Sequence, residues 1–118
     1  MFRFERLQVW HKAIELFERV DQAAEGLPGR LRFSVLDQWL RAALSVSSNI
    51  AEGTGRETQK ESSHFFSVAK GSAYEVVSIS TICRRRNLIS PEAHRDIYNL
   101  AEEIAKMLTA LKRAGKSA

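Results

Sequence analysis

The sequence predicts an all-α protein, an antiparallel up-down-up-down four-helix bundle. Three observations lead there. Apolar residues recur at helical spacing through four long segments, and no segment alternates with period two for long enough to form a strand. Connections of a few residues separate the segments, which sets consecutive helices side by side and antiparallel. With 118 residues, 44% of them hydrophobic, the chain fits a single domain (1–118) that buries a core of its own.

The first helix is expected over 5–25. Leu7, Trp10, Ile14, Phe17 and Ala24 form one seam, and Val9, Ala13, Leu16 and Val20 form a second, an unusually wide apolar face. Gly26 and Pro28-Gly29 end it. The second helix is expected over 34–52, with Ser34 as N-cap and Leu36, Leu40, Ala43, Ser47 and Ile50 in heptad spacing. Trp39, Val46 and Ala51 widen its face, and Gly53 supplies the stop.

Thr58-Gln59-Lys60-Glu61 has the form of a capping box, which opens a third helix over 58–86 through Phe65, Phe66, Ala69, Val76, Ile79 and Cys83. Thr54-Gly55-Arg56-Glu57 has the same form and leaves a start one turn earlier open. Ser90 caps a fourth helix over 91–113, with Pro91 at its first position, where a missing amide proton costs nothing. The core stripe there is Ala93, Ile97, Leu100, Ile104, Met107 or Leu108, and Leu111. Residues 115–118 read as a short polar tail.

The formal charge is +4 and the sequence pI near 9.6, a balance that favours acidic partners. Between residues 54 and 86, half of the basic side chains belong to one run, Arg84-Arg85-Arg86. Charges begin at the third residue, and no run approaches the roughly 18 apolar residues that span a bilayer, so a soluble, cytoplasmic protein is expected. The single cysteine, Cys83, forms no intrachain disulfide and offers no thiol pair to a metal. Beside Ile79 and Ile82 it reads as a small buried hydrophobe.

No catalytic, cofactor or metal site emerges from the residues, and the chain reads as a non-enzyme. Glu61-x-x-His64 places a carboxylate and an imidazole on one helix face, but di-iron bundles use that motif twice. The residues at the same offset before His11 and His94 are Gln8 and Pro91. The serines lack any Gly-x-Ser-x-Gly turn or Ser-x-x-Lys pairing that would supply an activating base. Gly53-x-Gly55 has no preceding strand and reads as helix termination rather than a phosphate loop.

Arg41-Ala42-Ala43, then Asn49-Ile50-Ala51-Glu52-Gly53, then Gly55-Arg56 form a pattern that resembles the small bacterial four-helix-bundle proteins encoded in intervening sequences of 23S ribosomal RNA genes. Phe4-x-x-Leu7-x-Val9-Trp10 and Gly71-Ser72 with Glu75 extend the resemblance over nearly the whole chain. Asn49, Glu52, Gly53, Gly55, Gly71, Ser72 and Glu75 are read as structural: Asn49 bonding across the turn, Glu52 pairing with Arg56 or another helix, and Gly71 permitting close helix contact. The relatives assemble as ring-like homopentamers, so the resemblance implies a homopentamer here. The surplus apolar face of the first two helices, with both tryptophans, points the same way through self-association. Small residues Ala42, Ala43, Ser45, Ser47 and Ser48 would let another backbone approach.

The leading expectation is a homo-oligomer that binds nucleic acid, RNA first, through Arg84, Arg85 and Arg86, with Lys60, Lys70, Arg56 and Arg41 as further phosphate contacts. The sequence shows no aromatic platform motif and no helix-turn-helix, so binding is expected to be driven by shape and charge. Relatives carry a less basic stretch where this chain has Cys83 to Asn87, which makes the arginine run a local feature. The alternative is a protein-interaction scaffold, because similar bundles include the accessory protein of diversity-generating retroelements, a basic pentamer that works with a reverse transcriptase.

Overall fold

A computed structural model describes residues 1–117 of the chain; Ala118 lies outside them. Four α-helices dominate: α1 (Gln8–Ala24), α2 (Asp37–Thr54), α3 (Gln59–Arg85) and α4 (Pro91–Ser117), with no strand among the described residues. The bundle measures 47 × 23 × 22 Å, a length set by the two helices of 27 residues at about 1.5 Å per residue. No described helix is long and apolar enough to cross a membrane.

In cross-section α1 packs on α2 and α4, and α3 packs on α2 and α4. Cross-helix pairs fix the directions. Gln38 meets Glu75 and Ser45 meets Ser72 between α2 and α3; Ser80 meets His94 and Lys70 meets Thr109 between α3 and α4; Lys12 meets Glu103 and Arg19 meets Asp96 between α1 and α4. Every neighbouring pair is therefore antiparallel, and the α1–α2 and α3–α4 connections share one end of the bundle.

The core takes Val9, Ala13, Leu16 and Val20 from α1, Trp39, Ala43, Val46 and Ile50 from α2, Ala69, Ala73, Val76 and Cys83 from α3, and Ile97, Ile104 and Leu108 from α4. Of the two α1 seams, Val9 to Val20 is the buried one, while Leu7, Trp10 and Phe17 are half-buried against it. The expected surplus face is smaller than the sequence suggests. Trp39 is fully buried, and its indole N–H donates to the Val76 carbonyl at 3.1 Å. Trp10 is covered by Phe4, whose ring centroid lies 4.8 Å away. Ala42, Ala43 and Ser47 lie in the chain's own core rather than open to another backbone.

Four boundaries differ from the sequence reading. α1 starts at Gln8, not residue 5, because Arg3–Arg6 winds into a 3₁₀ turn that folds Phe4 onto Trp10 and ties Arg3 to the Thr54 carbonyl. Ser34 does not cap α2: it sits in a π-helical turn, Arg32–Leu36, and its hydroxyl donates back to the Leu31 carbonyl. That turn also supplies the Ser34 carbonyl to the Asp37 amide, so α2 begins without a side-chain cap. Gly53 does not stop α2, which runs through it to Thr54 and caps on Gly55 with an ordinary φ of −89°. The 115–117 stretch is no free tail but the last turn of α4, with Gly115 close against the Gln59 side chain.

The other caps match their sequence signals. The Thr58 hydroxyl accepts from the Glu61 amide at 3.2 Å and donates to its carboxylate at 2.9 Å, fixing the start of α3 just after Thr58, whereas Thr54 ends α2. Ser90 Oγ accepts from the Ala93 amide at the start of α4. α3 closes in a Schellman turn: the Leu88 amide reaches the Cys83 carbonyl at 2.8 Å and the Asn87 amide reaches the Arg84 carbonyl at 3.1 Å. Asn87 carries the left-handed φ of 57° that this turn requires and that asparagine tolerates better than most residues.

Candidate nucleic-acid interface

Because the Schellman turn reverses the chain at the end of α3, Arg84, Arg85 and Arg86 stand at one pole of the bundle. Arg85 and Arg86 are exposed, and Arg84 is half-buried with Nη1 donating to Asn87 Oδ1 at 3.1 Å. The α1–α2 connection delivers Arg30, Arg32 and Phe33 to the same pole. Phe33 is 91% exposed, with the Arg32 guanidinium 5.9 Å from its ring centre.

Five arginines without an ion pair among the described residues gather at this pole. The ion pairs of the bundle use other cations: Lys12 pairs with Glu103, Arg19 with Glu15 and Asp96, Arg41 with Asp37, and Arg56 with Glu52. Among the described residues, none of Arg30, Arg32, Arg84, Arg85 and Arg86 forms an ion pair. Unneutralised guanidinium groups suit phosphate, which they bind through two parallel N–H donors. An exposed ring among them offers a stacking surface for a base.

The seven cationic residues singled out from sequence do not form one surface. Arg41 lies near the basic pole, its side chain 80% exposed but paired with Asp37 at 3.1 Å. Lys70 lies mid-helix and donates to Thr109 Oγ1 at 2.7 Å, facing α4. Arg56 and Lys60 belong to the opposite end. There Arg56 is held between the Glu52 carboxylate at 2.5 Å and the Phe65 ring at 4.5 Å, an arrangement that shapes the α2–α3 turn. Arg30, Arg32 and Phe33 are absent from the sequence reading. Their signal is topological, since in an up-down bundle the first and third connections meet.

The structural motif residues mostly fasten α2 to α3. Asn49 donates to the Ser45 carbonyl and hydroxyl at 2.8 and 2.9 Å, and Ser45 Oγ shares a 2.9 Å hydrogen bond with Ser72 Oγ. Asn49 thus bonds within its own helix and acts on α3 through Ser45, rather than across the turn. Glu75 accepts from Gln38, and Glu52 pairs with Arg56 as expected. Gly71 departs from its reading: it is exposed, and a β-carbon there would meet nothing within 4 Å in the chain.

Three chemically suggestive groups have structural settings. Glu61 is engaged at the Thr58 cap, and the exposed His64 ring packs edge-on against Phe65. Ser80 Oγ lies 2.8 Å from His94 Nδ1, a pairing invisible in the sequence; Ser80 is fully buried, and the contact joins α3 to α4. Cys83 is fully buried, and desolvation pushes its thiol above the ordinary value.

Fold and surface together define an all-α bundle with unpaired arginines concentrated at one end. Residues 5–110 match the family model of the 23S rRNA-intervening sequence protein, and the chain belongs to that family. Its fold is similar to that of a crystal structure of a protein with unknown function from the S23 ribosomal protein family of Bacteroides thetaiotaomicron VPI-5482. The TM-score is 0.81 at 24% identity, over 88% of this chain and 97% of that one. No curated protein matches the chain.

Proposed function

We propose that this protein is a non-enzymatic, cytoplasmic homo-oligomer that binds nucleic acid, RNA first, through its basic pole. The observation that carries the reading is that Arg30 and Arg32 of the α1–α2 connection and Arg84, Arg85 and Arg86 at the end of α3 share one pole without a carboxylate partner among the described residues. Lys60 and Arg56 drop out of the contact set on their position, and Arg41 stands at its edge. The family description, which ties these proteins to 23S ribosomal RNA, makes RNA the first polyanion to test.

Self-association rests on different residues from those the sequence suggested. Leu44, Val68 and Ile82 are 53%, 39% and 52% exposed on the outer sides of α2 and α3, and Gly71 is open between Val68 and Ile82. Such exposed apolar side chains, spread along the two helices, are the candidates for a protein contact. In a homopentamer the formal charge of +4 per chain becomes five times as large, and the basic poles repeat around the ring.

The test is fluorescence anisotropy with a structured ribosomal RNA fragment and an unrelated RNA, each across a salt series. Counterion release predicts affinity that falls steeply with salt, by about 0.7 to 0.9 log units per log unit of salt for each phosphate contacted. Absence of binding even at low salt contradicts the reading and favours the protein-scaffold alternative.

A further inference from the structure

We propose that the hollow between α3 and α4 is a nucleotide site, which takes one amino-bearing base and its phosphate from single-stranded RNA. The inference deepens the nucleic-acid reading and rests on it for the polymer, but the site lies on the bundle's flank, away from the basic pole. Its volume is about 390 Å³, inside the range of about 300–1,000 Å³ of small-molecule sites. It exists because Ala73, Ala101 and Ala105, all buried, face one another where larger side chains fill the core elsewhere.

The walls carry two aromatic rings that the sequence separates by 24 positions. Tyr74 of α3 is 63% exposed and Tyr98 of α4 is 44% exposed, so both rings are open to a stacking partner. Tyr98 is backed by the His94 ring at 6.0 Å, which is itself held by the buried Ser80 hydroxyl. The Ser80–His94 pair therefore acts as support for an aromatic wall.

Away from Tyr98 the hollow carries two lysines, Lys70 one turn from Tyr74 on α3 and Lys106 one turn from Glu102 on α4. Lys70 spends one N–H on Thr109 and keeps two for an anion, while Lys106 has no carboxylate partner among the described residues. About two turns of α4 separate Tyr98 from Lys106, roughly 12 Å at 1.5 Å per residue. A nucleotide, with its planar base against Tyr98 and its phosphate toward Lys106, fits that spacing. Glu102 lines the same hollow, and its carboxylate accepts from an exocyclic amine such as cytosine N4.

The test is titration of the intact protein with cytidine 5′-monophosphate by calorimetry and by NMR. Uridine 5′-monophosphate and ribose 5-phosphate serve as comparators. Cytidine 5′-monophosphate should bind tightest and shift resonances of α3 and α4 around Tyr74 and Tyr98. Tyr98→Ala and Lys106→Ala should each weaken it about tenfold, in keeping with stacking and phosphate contacts. Both side chains are exposed, and unchanged thermal melts establish that the variants fold. Replacing Arg84, Arg85 and Arg86 with alanine should leave mononucleotide binding intact, so loss of long-RNA affinity alone in that variant marks the basic pole as separate. Equal binding of ribose 5-phosphate, equal binding of the uridine nucleotide, or indifference to Tyr98→Ala overturns the site without touching the basic-pole reading.

Discussion

Gly53 of α2 lies directly against the ring of Phe66 of α3: a β-carbon at position 53 would fall 2.6 Å from Phe66 Cε1 and 3.2 Å from Phe65 Cβ. The glycine is therefore a packing residue inside a helix, where it lets the two backbones close on a buried aromatic ring. Gly53→Ala should overpack this contact and destabilise the fold by about 1–3 kcal/mol, read as a lower denaturant midpoint at unchanged m-value.

Gly71 should behave in the opposite way. With open space around it in the chain, Gly71→Ala should raise intrinsic stability by roughly 0.5–1 kcal/mol through helix propensity alone. If the outer side of α3 is the contact between copies, Gly71→Leu should lower the mass seen by light scattering while leaving the circular dichroism spectrum unchanged. A mass identical to that of the unmodified protein would place the contact elsewhere.

Cys83 should make the fold less stable in alkali. Burial raises its thiol pKa, so the folded chain keeps a proton that the unfolded chain releases. The native state then binds more protons, and the unfolding free energy falls as pH rises through the unfolded thiol's pKa of about 8.5, with no contribution below it. Denaturant midpoints measured from about pH 8 to 10 should decline less in Cys83→Ala than in the unmodified protein. Thiol labelling of the native protein should proceed only at the rate of opening.

The fold was largely legible because its signals are local. Thr58 and Ser90 are three residues before the amides they cap, and the stripe of Val9, Ala13, Leu16 and Val20 is a helical period, so each is contained in a short window. Where glycine or serine carried two meanings, the structure chose on grounds outside the window. Gly53 was decided by a ring on another helix, and Ser34 by a π turn that already served the first amide of α2.

The candidate site was legible only in part. Arg84-Arg85-Arg86 is a run and could be read directly, but Arg30, Arg32 and Phe33 join it through topology. Tyr74 and Tyr98 share a hollow only because buried alanines on two antiparallel helices face each other. Arg56 shows the converse: its charge suggested phosphate, yet Glu52 and Phe65 occupy it. Net charge at a residue says little until its partners are known.

A phosphate-binding pole is tested by equal charge removal at the two ends of the bundle. Arg85→Ala with Arg86→Ala removes two of the five arginines of the basic pole, and Arg6→Ala with Lys60→Ala removes two cations from the opposite end, where Arg3 binds the Thr54 carbonyl. RNA affinity is then measured across a salt series. The first pair should weaken binding at low salt by about tenfold or more and flatten the salt dependence by about 1–2 units of slope, while the second pair should change both little. Equal losses from the two pairs would contradict a localised phosphate-binding pole.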